Sequence, residues 1–180
     1  MIKILVTLIT ILLSSNCVMA QSVLGIKFGS SYDDVLGYLS QRFGKYNVHK
    51  NETGLTVYNC KLGDVSFHLG EFGFQYDNNN SYFNSATFQI HYELSESNAA
   101  KDTRDYIFSL LKEKYEDEYI EEYTNDEGYK CYKFGVNPFD EDMALGLITL
   151  ERAKGKDGKS RLYVLLEYLP IYYLPKSSDF

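Results

Sequence analysis

Val65-Ser66-Phe67-His68-Leu69-Gly70-Glu71-Phe72-Gly73-Phe74-Gln75-Tyr76 is the stretch on which the fold turns. Val65, Phe67 and Leu69 alternate with Ser66, His68 and Gly70, and Phe72, Phe74 and Tyr76 take the alternation past Glu71 and Gly73. A period of two sends successive side chains to opposite faces, so the stretch predicts a half-buried strand of an antiparallel sheet. The pattern extends both ways. Upstream, Leu55, Val57 and Asn59 alternate with Thr56, Tyr58 and Cys60; downstream, Phe88, Ile90 and Tyr92 alternate with Gln89 and His91. Lys61-Leu62-Gly63-Asp64 and Asp77-Asn78-Asn79-Asn80-Ser81 supply the turns between them.

Before and after this block the period changes to that of a helix. Val35, Leu36, Leu39 and Phe43 form one apolar stripe, opened by Ser31 with Asp34 three residues on and closed by Gly44. A second helix is predicted near Asn98–Tyr119, capped by Ser97. Its stripe is Tyr106, Ile107, Leu110, Leu111 and Tyr115, and Asp102, Arg104, Lys112, Glu113, Glu116 and Asp117 lie on its wet side. Three strands follow, near Tyr129–Val136, Ala144–Arg152 and Leu162–Tyr168, with Gly155–Lys159 as a hairpin loop. Pro170 and Pro175 end regular pairing ahead of a frayed tail.

The order is helix then three strands, twice. Val35, Leu36, Leu39 and Phe43 overlay Ile107, Phe108, Leu111 and Tyr115 at an offset of 72, and Tyr58-Asn59-Cys60 overlays Tyr129-Lys130-Cys131 at 71. That agreement reads as an internal duplication. The expected fold class is α+β. It consists of tandem helix–three-strand units, about 24–94 and 97–170, within one domain of residues 21–180. The antiparallel sheet carries both helices packed on one face.

The segment Gly25-Ile26-Lys27-Phe28-Gly29-Ser30-Ser31-Tyr32-Asp33-Asp34-Val35-Leu36, closing at Arg42-Phe43-Gly44, resembles the opening of small exported domains common in Bacteroidetes. In these a G-I-x-F/L-G-x-S strand and turn leads into a capped helix ending in F-G. The doubled layout is similar to that of β-lactamase-inhibitor-protein-like and SmpA-like domains. The resemblance implies a fold and an envelope location; it implies no activity and transfers no catalytic residue.

The amino terminus points the same way. Lys3, the uncharged run Ile4–Leu13 and Val18-Met19-Ala20 form a secretory signal peptide over residues 1–20, with cleavage before Gln21. The apolar run is shorter than the roughly 20 residues of a membrane span. The mature chain therefore has no transmembrane segment and is expected to be periplasmic or secreted. The alternative is lipid anchoring through Cys17, but Ser14 and Asn16 fit a lipoprotein signal poorly. Losing Lys3 leaves 17 of the 18 basic residues against 25 acidic ones, a net charge of −8. So acidic a chain argues against nucleic acid and anionic membrane surfaces as partners. The one basic cluster, Arg152, Lys154, Lys156, Lys159 and Arg161, contains Gly155 and Gly158 and reads as a solvated hairpin loop.

No residue pattern announces catalysis. Nucleophile elbows are absent, and His49, His68 and His91 lack ligand spacing. Asp77–Ser81 has Tyr82 and Phe88 where a calcium loop needs Gly and Glu, and Asp140-Glu141-Asp142 with Asn137 reads as a solvated turn. No cofactor or metal is expected. Cys60 and Cys131 are candidates for a disulfide, which would close a 71-residue loop and stabilise by about 3–4 kcal/mol. A Cys60–His68 thiol–base pair is the competing, catalytic reading. The 17 Tyr and 11 Phe, with no Trp, favour strands, and Tyr58, His68 and Tyr132 lie opposite the expected core rows as candidate binding residues. The expected function is a non-enzymatic binding or assembly module of the bacterial envelope, meeting a protein or envelope component. The alternative is a small periplasmic hydrolase or ligand-binding protein.

Overall fold

A computed structural model describes residues 22–77, 80–115, 119–136, 144–155 and 157–169. The expected signal peptide over residues 1–20, Cys17 within it, Asn137 with the acidic run 140–142, and residues 170–180 lie outside the described residues. The first element is a small hairpin of β1 (Ser22–Val23) and β2 (Ile26–Lys27). Leu24 and Gly25 between them both have positive φ, 60° and 85°, as a two-residue type I′ turn requires. The Tyr38 hydroxyl donates to the Leu24 carbonyl and ties this hairpin to helix α1 (Tyr32–Phe43).

The start of α1 follows from Ser31. Its hydroxyl oxygen accepts from the Asp34 backbone N–H at 3.2 Å, while Asp34 Oδ2 accepts from the same hydroxyl at 2.7 Å. Gly44, with φ 87°, ends the helix by donating its N–H to the Ser40 carbonyl. Helix α2 (Ser97–Lys112) is entered through a 3-10 turn, Leu94–Glu96, in which Glu93 and Glu96 cap each other. It ends at Lys112 rather than near Tyr119. The Lys114 and Tyr115 N–H groups both turn back to the Leu111 carbonyl, and the Tyr115 ring then packs on Phe134.

The strands overturn the expected fold class. β3 (Val48–Lys50), β4 (Gly54–Leu62), β5 (Val65–Asp77), β6 (Asn80–Tyr92), β7 (Ile120–Thr124), β8 (Lys130–Phe134), β9 (Gly146–Lys154) and β10 (Ser160–Tyr168) join in one antiparallel sheet. Its order is β3-β4-β5-β6-β10-β9-β8-β7. Strand makes up 53% of the described residues, so the fold is mostly β, not α+β in tandem helix–three-strand units. The short strands β3 and β7 carry little alternating pattern of their own, which hid them. The continuous ladder between β6 and β10 merges all eight strands, from Leu162 opposite Tyr92 to Tyr168 opposite Ala86.

One core fills one face. Leu55, Val57, Phe67, Phe72, Phe88, Phe134, Ile148, Leu150, Leu162 and Val164 from the sheet meet Val35 and Leu39 of α1 and Ala100, Ile107 and Leu111 of α2. Helix α1 lies over β3, β4 and β6, and α2 over β6, β9 and β10. The stripe of α2 differs from the expected one. Tyr106 and Leu110 are exposed, whereas Arg104, expected on the wet side, is 5% exposed. Its guanidinium is satisfied there by the Lys130 carbonyl at 2.8 Å and Asp105 at 2.8 Å.

The alternation in β5 also breaks, and the break matters. Phe67 is buried, yet so are Gly70, Phe72 and Phe74, which have the other parity. The phase changes at His68 and Leu69, opposite Tyr58 and Asn59 of β4, where Asn59 has φ 50°. Gly70 supplies the inward place after the change, because a side chain there would meet Cys60 Sγ and the Phe88 ring. His68 is thereby left exposed beside the half-buried Leu69.

Candidate binding face

Among the described residues no helix packs on the second face of the sheet, here the open face. Its composition follows from strand parity. On β10, Leu162, Val164 and Leu166 enter the core, so Tyr163, Leu165 and Glu167 look outward. On β9, Ile148 and Leu150 point in, and Leu147, Thr149 and Glu151 point out. Register then sets three rows across the sheet centre. Tyr163 lies between His91 and Glu151, Leu165 between Gln89 and Thr149, and Glu167 between Thr87 and Leu147. β5 adds Leu69 beside Gln89 and Glu71 beside Thr87, and β4 adds Tyr58 beside Leu69.

Rings run across this face from one strand to the next. His49 meets Tyr58 edge-on at 5.2 Å, His68 lies against His91 at 4.1 Å, and His91 is 6.3 Å from Tyr163. The His68 ring has a fixed role. Its Nδ1 accepts the His91 backbone N–H at 3.1 Å, so the neutral ring carries its proton on Nε2. Burial first, and the His91 imidazole second, hold its pKa below the usual histidine value. The pair therefore presents an outward N–H donor rather than a free lone pair on His68. Among the described residues no group of three or more His, Cys, Asp or Glu could hold a metal ion.

The charges of the face are mostly acidic. Cations beside it are engaged, Lys133 with Glu121 at 3.0 Å, Arg161 with Asp157 at 2.7 Å and Glu93 at 3.2 Å, and Lys61 with Asp64 at 4.0 Å. Glu71, Glu151 and Glu167 have no cationic partner among the described residues. Burial, and then repulsion from Glu127, raises the Glu151 pKa; burial, and then Glu151, raises that of Glu167. The Thr149 hydroxyl, in the row between those two carboxyls, is enclosed and has no hydrogen-bond partner among the described residues.

Two of the residues singled out from sequence meet on this face. Tyr58 is 53% exposed, and His68 stands nearby on the neighbouring strand. Tyr132 does not join them: it is 5% exposed on the helix-covered face. Its ring stacks on Phe108 at 3.8 Å, and its hydroxyl donates to Asp105 at 3.1 Å. Sequence reasoning missed His91, Gln89, Tyr163, Leu165, Glu151 and Glu167 as parts of the face. The alternation of Leu162, Val164 and Leu166 already placed Tyr163, Leu165 and Glu167 on the side away from the core.

The disulfide expectation is overturned. Cys60 and Cys131 are both free and buried. Cys60 sits on β4 within the core, whereas Cys131 sits on β8, outside that cluster and opposite Tyr123. The two strands are five places apart in the sheet, about 24 Å at ~4.8 Å per strand. A disulfide needs Cα atoms within roughly 7 Å. The Cys60–His68 pairing fails as well, because the thiol points into the core and the imidazole away from it. Burial pushes the Cys60 thiol up to about 11, so it stays protonated. Cys131 donates to the Tyr129 carbonyl at 3.6 Å, and burial followed by Cys131 pushes the Tyr123 phenol up to about 12.

Among the described residues no helix is long and apolar enough to cross a membrane. Comparison of the chain with known proteins finds no matching family model, no matching curated protein and no matching solved structure.

Proposed function

We propose that the protein is a non-enzymatic binding module of the cell envelope that meets a protein partner with the open face of its sheet. The observation behind this reading is the contrast between the two faces. One is filled by a continuous apolar core and two helices. The other presents Tyr58, His68, His91, Tyr163, Gln89 and Leu165 in register on five adjacent strands, β4 to β9 with Thr149 included. Aromatic rings beside aliphatic and amide groups supply contact area at low entropic cost. The strands beneath hold those groups in fixed positions, which lowers the cost of ordering them on association.

Site-specific photo-crosslinking in the living cell tests it. A benzophenone side chain placed at Tyr58 or Gln89 should give discrete protein adducts in the envelope fraction. The same group at Leu110, exposed on α2, should give none. Adducts from Leu110 alone, or from no position, would sink the reading.

A further inference from the structure

The face on which the proposed function rests also carries information about its partner. Glu151 and Glu167 stand at opposite corners of the β9–β10 part of the face, with Thr149 and Leu165 between them, and Glu71 lies two strands from Glu167 in the same row. None of the three forms an ion pair among the described residues, while Lys133, in the row of Glu167 beyond Leu147, and Arg161 are held by other carboxylates. Glu151 and Glu167 are partly desolvated and oppose one another in the free chain, and the exposed Glu71 adds a third negative charge to the face. An incoming positive charge relieves that repulsion, which a neutral or acidic ligand would not.

A further feature selects the same chemistry. Tyr163, Tyr58 and the His68–His91 pair offer ring faces and edges beside the carboxylates. A guanidinium can stack on such rings while it bonds a carboxylate, which an aliphatic ammonium does less well. We infer that the open face docks an arginine-bearing polypeptide segment of another protein, its guanidinium groups meeting Glu71, Glu151 and Glu167.

The full chain and a fluorescently labelled eight-residue peptide of alternating Arg and Ser test this by anisotropy titration. The double variant Glu151→Gln/Glu167→Gln should weaken binding by about tenfold or more, equivalent to about 1.4 kcal/mol. A control, Asp102→Asn/Glu113→Gln, removes the same charge from exposed positions along α2 and beyond its end. It should stay within about twofold of the parent. Thermal melts of both variants establish that they fold. Amide shifts induced by the peptide should fall on β6, β9 and β10.

Equal weakening in both variants would mean attraction by net charge alone and would overturn the inference. So would absence of binding to the Arg–Ser peptide, equal binding of a Glu–Ser peptide or a neutral oligosaccharide, or shifts confined to the helices. Crosslinks at Tyr58 and Gln89 with no arginine-peptide binding would leave the binding reading standing and remove only this one. Failure of both experiments would remove both.

Discussion

Glu167 is held above the ordinary carboxylate range by burial and then by Glu151, and Glu151 by burial and then by Glu127. A raised folded-state pKa means that folding favours the protonated carboxyl. Its contribution to stability is full below the unfolded-state pKa and is lost as pH rises through the folded-state value. Glu167→Gln, which cannot ionise, is therefore expected to raise the melting temperature near neutral pH. Below about pH 3.5, where the carboxyl is protonated folded and unfolded alike, the gain should vanish. Melts across that range check the direction, and a variant that melts lower at neutral pH would contradict it. The thiols make a second case at this scale. Cys60, buried with its pKa near 11, and buried Cys131 are expected to resist alkylation in the native chain and both to react after denaturation. Intact mass should be the same with and without reductant.

Single strands and helices respond to substitutions that their neighbours make predictable. Gly146 opens β9 where a Cβ would lie 2.1 Å from the Glu167 carbonyl oxygen and 2.4 Å from the Phe134 ring. Neither the β10 backbone nor a packed ring can move away cheaply. Gly146→Ala is expected to cost about 3 kcal/mol in urea unfolding. At the start of α1, Ser31→Ala removes the acceptor of the Asp34 N–H and should cost about 1 kcal/mol. Both ends of that helix were legible, the start in Ser31 and Asp34 and the stop in Gly44, because capping is local chemistry. The end of α2 was not, because Tyr115 leaves the helix to pack on Phe134, a residue of β8.

Across the whole molecule, α1 and α2 share one core through a continuous sheet. Leu39 is fully enclosed at 0% exposure and Leu111 nearly so at 8%. Replacing either by Ala should cost about 2–5 kcal/mol, less where the cavity can collapse. Because the core is shared, circular dichroism and Tyr fluorescence should report the same single transition in both variants. Separate transitions, with one helix melting ahead of the other, would show that the sheet does not couple them.

The sequence by itself determined what depends on neighbours along the chain. Period-two runs marked most of β4, β5, β6, β9 and β10; helical stripes marked α1 and α2; Gly155–Lys159 marked a hairpin. Parity alone also put Tyr58 and His68 away from the core. Tertiary structure decided what depends on distant residues. The β6–β10 ladder turned two runs of strands into one sheet. The phase change at His68 and Leu69 placed an imidazole against His91, 23 residues away. Arg104 was buried because a carbonyl and a carboxylate waited for it, and Tyr132 because Phe108 covers it. Cys60 and Cys131 stayed apart because matching places in a sequence pattern can fall on distant strands and opposite faces. Local pattern fixes the conformation and the inward side of each element; which elements become neighbours is set by burying all their apolar sides at once, and that is a property of the assembled chain.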